Sequence, residues 1–99
     1  MNFEIAPKST EIRANWYEAR MYCFSLDIDG KVGWRLPTKE ELNEIYQIHQ
    51  SNNVFTNEAG YWSSTENDSG GVFVQYSYDG YQYAAIKEGR GYTRAVRTI

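Results

Sequence analysis

The spacing of apolar residues changes character partway along the chain: it is helical through the first half and alternates from Tyr61 onwards. At the start, Phe3 and Ile5 alternate with polar neighbours in NFEI, which predicts a short first strand. In NWYEARMYCFSL the residues Trp16, Ala19, Cys23 and Leu26 recur at helical intervals, with Asn15 and Glu18 as the capping pair. The turn residues of DIDGKVG end that helix. A second helix begins at Thr38, where Thr38 and Glu41 form an S/T-x-x-E capping box and Pro37 stands just outside it. Leu42, Ile45, Tyr46 and His49 share its inner face, and Glu40, Glu41 and Glu44 crowd its first turns, where the helix dipole favours acids. HQSNNVFTNEAG reads as a polar connection pinned by Val54 and Phe55.

YWSST is a short extended piece, and GVFVQYSYDGYQYAAIKEG reads as a hairpin turning at Asp79-Gly80, a strong short-range hairpin signal. Alternation sets Val72, Val74, Tyr76 and Tyr78 on one face and Phe73, Gln75 and Ser77 on the other. YTRAVRTI predicts one closing strand, with Tyr92, Arg94, Val96 and Thr98 on one side and Thr93, Ala95, Arg97 and Ile99 on the other. Helices followed by strands predict an α+β domain, and 99 residues are enough for one such domain, spanning 1–99.

Composition narrows the function classes. Nine Tyr, three Trp and four Phe mean that aromatic rings do much of the burying. A formal charge of −3 without a Lys/Arg stripe argues against nucleic-acid binding. No apolar stretch approaches a membrane span, so no membrane insertion is expected, and MNFEIAPKST lacks the apolar core of a signal peptide. The single Cys23 excludes an intrachain disulfide and a CxxC site. A cytoplasmic or virion-associated location is expected, and no cofactor.

The order of W, EA, YC, GWRLPTKEEL, YWSST, DG and RAVR between Trp16 and Arg97 resembles the C-terminal domain family of the Legionella collagen-like adhesin. That resemblance implies a C-type lectin-like fold: two helices packed on a small twisted antiparallel sheet, with a long-loop region. Domains of this group commonly join the first helix to the last strand by a disulfide. Here Cys23 is present but Ala95 stands at the matching position, so packing alone must hold those elements together. The group also contains an enzyme that binds copper through two cysteines, a chemistry one cysteine cannot reproduce. Its calcium-dependent lectins use a Glu-Pro-Asn or Gln-Pro-Asp loop, and no such tripeptide occurs here.

What remains is binding chemistry. His49 has no nucleophile or carboxylate partner at suggestive spacing and reads as structural, so no enzyme is expected. Glu66, Asn67 and Asp68 in TENDSG offer oxygen ligands to calcium, as weak candidates. Tyr78, Tyr81, Gln82 and Tyr83 flank the Asp79-Gly80 turn and combine rigid aromatic area with polar tips, the composition of antibody-like binding surfaces. Arg90 in EGRGY, with Asn67 and Asp68, completes the candidate partner site; Arg90, Arg94 and Arg97 are otherwise expected to pair with acids such as Glu58, Glu66 or Glu88. The expected function is a non-enzymatic module of bacterial or phage origin. It would recognise a protein or glycan through the hairpin tip and the 65–70 loop, with a homo-oligomer possible. The alternatives are a small intracellular inhibitor of a host enzyme and a calcium-dependent lectin.

Overall fold

The structure, a computed structural model, describes residues 2–99. It contains strands β1 (Phe3–Ile5) and β2 (Ile12–Ala14), helix α1 (Trp16–Ser25), strand β3 (Trp34–Arg35) and helix α2 (Lys39–Asn52). Strands β4 (Gly60–Glu66), β5 (Val72–Tyr76), β6 (Gln82–Ala85), β7 (Gly91–Thr93) and β8 (Val96–Thr98) follow. They form a three-stranded sheet ordered β1-β8-β3 and a five-stranded sheet ordered β2-β7-β4-β5-β6. All pairings are antiparallel except a parallel bridge between β4 and β7 at Tyr61 and Tyr92. The domain is α+β, with two buried clusters: one around Trp16, Trp34 and Trp62, the other around Phe55, Tyr61 and the inner face of α2.

Both helices start where the capping residues place them. The Asn15 side chain accepts from the Glu18 backbone N–H at 2.9 Å, and Glu18 returns the bond to the Asn15 N–H at 3.2 Å. Thr38 and Glu41 exchange the same pair of bonds at 3.1 and 2.8 Å. Glu41 also takes a bidentate contact from Arg35 at 2.7 and 2.8 Å, so one carboxylate joins β3 to the start of α2. Trp34 and Leu36 are buried beside that corner. Helix α2 runs further than the sequence indicates, to Asn52, and ends on Asn53 in the left-handed region at φ 52°. His49 Nδ1 accepts from the Phe55 N–H at 2.9 Å and folds the connection back beneath the helix.

The C-terminal segment corrects the expectation of one closing strand. It breaks at Arg94 and Ala95, so β7 belongs to the larger sheet and β8 to the smaller. Arg94 sits in the break at 3% exposure and pairs with Glu11 at 3.1 Å, while donating to the carbonyls of Ala6 and Val54. Glu11 accepts from the Tyr61 hydroxyl at 2.6 Å and from the Thr56 hydroxyl. The partners of these arginines are thus remote in sequence: Arg97 pairs with Glu4 at 2.8 Å, and Arg90 donates to the Arg13 carbonyl at 3.0 Å. Neither Glu58, Glu66 nor Glu88 takes that role. Cys23 is fully buried in the tryptophan cluster beside Ala95, and burial pushes its thiol up to about 12.

Two outcomes test this frame. Arg94→Met should cost about 3–5 kcal/mol in urea denaturation, because it strands the buried Glu11 carboxylate; a loss under about 1 kcal/mol would show that water reaches the site. The hydrogen bonds from Arg35 hold the Glu41 carboxyl below the usual carboxylate range. The stability it contributes is therefore complete above the unfolded value of about 4.3 and is lost as pH falls through the lower folded value. Glu41→Gln keeps the capping geometry and removes that titration. Its urea midpoint should fall less steeply than that of the unsubstituted protein as the pH is taken below about 4; parallel profiles would show that the pair contributes nothing.

Candidate functional site

The hairpin β5–β6 is in register from Val72 opposite Ala85 to Gln75 opposite Gln82. Tyr76 N–H donates to the Tyr81 carbonyl and Gly80 N–H to the Tyr76 carbonyl, each at 2.9 Å. The turn is therefore a four-residue loop, 77–80, closed by Gly80 at φ +80°, rather than the two-residue Asp-Gly turn that the sequence predicts. The Asp79 carboxylate accepts from the Tyr81 N–H at 3.0 Å and stiffens the loop. A Cβ at Gly80 would lie 2.5 Å from the Tyr46 ring, so glycine lets the tip seat flat on α2.

Register sends the amides of the hairpin inward, which corrects the picture of Gln82 presented beside tyrosines. Gln82 donates to the Lys39 carbonyl at 2.8 Å and to Gln75 Oε1 at 3.0 Å. Gln75, fully buried, donates to Asn43 Oδ1 at 3.1 Å and to the Gly80 carbonyl at 3.0 Å. These bonds clamp the hairpin to α2, and Gln82 is a structural bridge. The rings are what reach water: Tyr78, Tyr81 and Tyr83 are 71%, 65% and 39% exposed. Tyr81 and Tyr83 stack with centroids 6.1 Å apart and planes at 17°, and Tyr76 leans on Tyr78 at 6.4 Å.

Tyr83 opens onto a groove of about 270 Å³. Val74 and Ile86 line it beside Tyr83, Gly60 and Trp62 lie along β4, and Arg13, Arg90 and Tyr92 close the other side. A Cβ at Gly91 would meet the Trp62 indole nitrogen at 2.8 Å, so that ring, whose N–H donates to the Ala14 carbonyl at 2.8 Å, lies flat against bare backbone. The Arg13 guanidinium stands 5.4 Å from the Tyr92 ring centre. Among the described residues neither Arg13 nor Arg90 is paired with a carboxylate. The groove thus offers aromatic area, two guanidiniums without a carboxylate partner, of which Arg90 is tied to the Arg13 carbonyl, and the Glu58 carboxylate.

The 65–70 loop lies elsewhere. It joins the Val72 end of β5, whereas the tyrosine tip follows Tyr76, about 13 Å further along the strand at 3.3 Å per residue. The two are not adjacent, which corrects the notion of one continuous surface. Glu66 is bound to Lys87 at 2.6 Å, and that contact lowers its carboxyl below the usual range. Asn67 Oδ1 accepts from the backbone of Ser69 and Gly71 at 3.1 and 2.7 Å. Of the three oxygen donors considered for calcium, Glu66 and Asn67 are thus engaged within the protein, and Asp68 is exposed. Sequence reasoning missed Arg13, Trp62 and Tyr92, because β2, β4 and β7 bring them together from distant points of the chain.

Gly80→Ala should destabilise the protein by about 1–3 kcal/mol through the strained φ and the clash with Tyr46. Amide exchange should quicken in residues 76–82 and remain unchanged in α1. Uniform quickening would show that the tip is not an independent seat.

No curated protein matches the chain. The Lcl C-terminal domain family matches residues 4–97, which includes every element described above apart from the ends of β1 and β8. This chain belongs to the Lcl C-terminal domain family.

Proposed function

We propose that this protein is a non-enzymatic binding module of bacterial or phage origin that captures a protein or glycan partner on the aromatic side of hairpin β5–β6. Membership of an adhesin-type family supports the class of function. The observation that carries the site is the stacked, exposed pair Tyr81 and Tyr83, of which Tyr83 lines a groove shared with the guanidiniums of Arg13 and Arg90 and the carboxylate of Glu58. Rings held by an inner amide clamp lose little entropy on contact, so their area converts efficiently into affinity. Tyr and Arg are also the residue types that dominate the energetics of protein interfaces.

A C-type lectin-like fold belongs to the same proposal. Its support is the antiparallel pairing of β1 with β8 and the burial of Cys23 and Ala95 in one cluster, at the two positions a disulfide staple would join.

The test is retention of cell-envelope and lysate fractions on immobilised protein, read with the Tyr81→Ala/Tyr83→Ala variant and, separately, with Arg90→Ala. The expected result is one partner retained by the unsubstituted chain and lost from the double variant, whose far-UV spectrum is unchanged. Arg90→Ala should weaken capture by about tenfold, the equivalent of one charge-assisted contact. Full retention by the double variant would remove the site.

A further inference from the structure

Strand β6 (Gln82–Ala85) closes one side of the larger sheet, and its outer edge has no neighbouring strand among the described residues. Tyr76 N–H donates to the Tyr81 carbonyl, so the register makes Val74 with Tyr83 and Val72 with Ala85 the hydrogen-bonded pairs of the hairpin. The intervening residues, Gln82 and Ala84, therefore aim their backbone N–H and C=O groups away from β5, at the free edge. No loop backbone bonds to them there among the described residues. Ala84 is exposed, and its neighbours Tyr83 and Ile86 are 39% and 70% exposed.

The composition of this edge sets it apart. Among the described residues, each of the other strands that ends a sheet carries a charge: Glu4 in β1, Arg13 in β2 and Arg35 in β3. Charges and prolines are the usual means by which an edge is kept from pairing with another chain. Strand β6 reads QYAA and has neither. The nearest charged residues along the chain are Asp79, in the loop, and Lys87, which is held by Glu66 at 2.6 Å.

Hollows border the edge on both faces. On the face of Tyr83 and Ala85 lies the groove with Arg13, Arg90 and Glu58, two guanidiniums against one carboxylate. On the face of Gln82 a hollow of about 360 Å³ is lined by Lys39, Glu40 and Asn43, one charge of each sign. Successive side chains of an extended peptide point to opposite faces. A peptide laid along β6 therefore reaches both hollows while its backbone meets Gln82 and Ala84.

We propose that β6 takes up its partner by strand addition: an extended segment of a protein joins the larger sheet, with an acidic side chain on the Tyr83 face. The positive excess beside Tyr83 selects an acid there, and the balanced Gln82 face selects a neutral residue. A second copy of this chain fits less well. Its own β6 brings no carboxylate to the guanidiniums, and Ala84 and Ala85 leave the hollows unfilled. The inference rests on the reading that this side of the hairpin captures a partner, and it names that partner as a polypeptide.

The probe is a capped heptapeptide with threonine at its odd positions, glutamate at the centre, and valine or tyrosine on either side of the glutamate at the remaining even positions. A twin carries lysine for the glutamate, and a third form is N-methylated at consecutive central amides so that neither backbone edge can pair. Amide exchange in the 15N-labelled protein reads the result. The glutamate peptide should slow exchange at Gln82 and Ala84 by about tenfold or more and leave Tyr83, already bonded within the hairpin, unchanged. The lysine twin should bind about tenfold more weakly, and the N-methylated form should protect nothing. Ala84→Pro removes an N–H that the hairpin does not use. It should keep the slow exchange of Val74 and Tyr76 and abolish protection at Gln82. Absence of protection by the glutamate peptide, protection by the N-methylated form, or equal affinity for the lysine twin would overturn the proposal. So would sedimentation showing self-association that already protects Gln82 and Ala84. Envelope or lysate capture lost from Tyr81→Ala/Tyr83→Ala but kept by Ala84→Pro would remove strand addition and leave the aromatic surface standing.

Discussion

The buried guanidinium of Arg94 holds the domain together at the one point where the chain changes sheets. It lies between β7 and β8 and reaches the Ala6 carbonyl after β1, the Val54 carbonyl after α2, and the carboxylate of Glu11 before β2. The three carbonyl and carboxylate groups all lie just outside the regular elements. A planar donor with five N–H groups can serve several carbonyls at once, which a lysine could not. Burial raises the Tyr61 hydroxyl above its ordinary range, so it stays protonated and donates to Glu11, completing the carboxylate's partners. An ion pair removed from water is neutral or worse for stability unless its remaining hydrogen bonds are filled, and here they are.

That junction makes the rest possible. With the two sheets locked together, α2 lies against one face of β5 and β6, while the other face buries Val72 and Val74 in the tryptophan cluster and leaves its tyrosine end open. The hairpin then divides its chemistry by parity. Gln75 and Gln82 turn toward α2 and bind it, while Tyr81 and Tyr83 turn away and stack in water. Rigid presentation of the rings and burial of the amides are two sides of one register. The loop residues 77–80, which obey no strand alternation, carry Tyr78 over the edge toward the C-terminal half of α2.

Local chemistry was legible residue by residue. Asn15 with Glu18 and Thr38 with Glu41 announce both helix starts, because a capping box needs only four consecutive residues. Asp79-Gly80 marks the hairpin for the same reason, although the loop closes over four residues once Gly80 meets Tyr46. The split of the last strand was not legible, since YTRAVRTI alternates without interruption. The break follows from Glu11, some eighty residues away, drawing Arg94 out of the ladder. Gln82 looked like a surface amide for a similar reason: nothing near it in sequence names Lys39 or Gln75 as its partner.

By itself the sequence determined the helices, the hairpin, the aromatic character of the core and the family, all properties of short spacings or of ordered landmarks. The tertiary structure alone decided which side chains are available to a partner. It separated the 65–70 loop from the tyrosine tip by the length of β5. It joined Tyr83 of β6 to Arg13 of β2, Trp62 of β4 and Arg90 in the turn before β7. Availability depends on what is left over after every long-range contact is made, and no local pattern encodes that remainder.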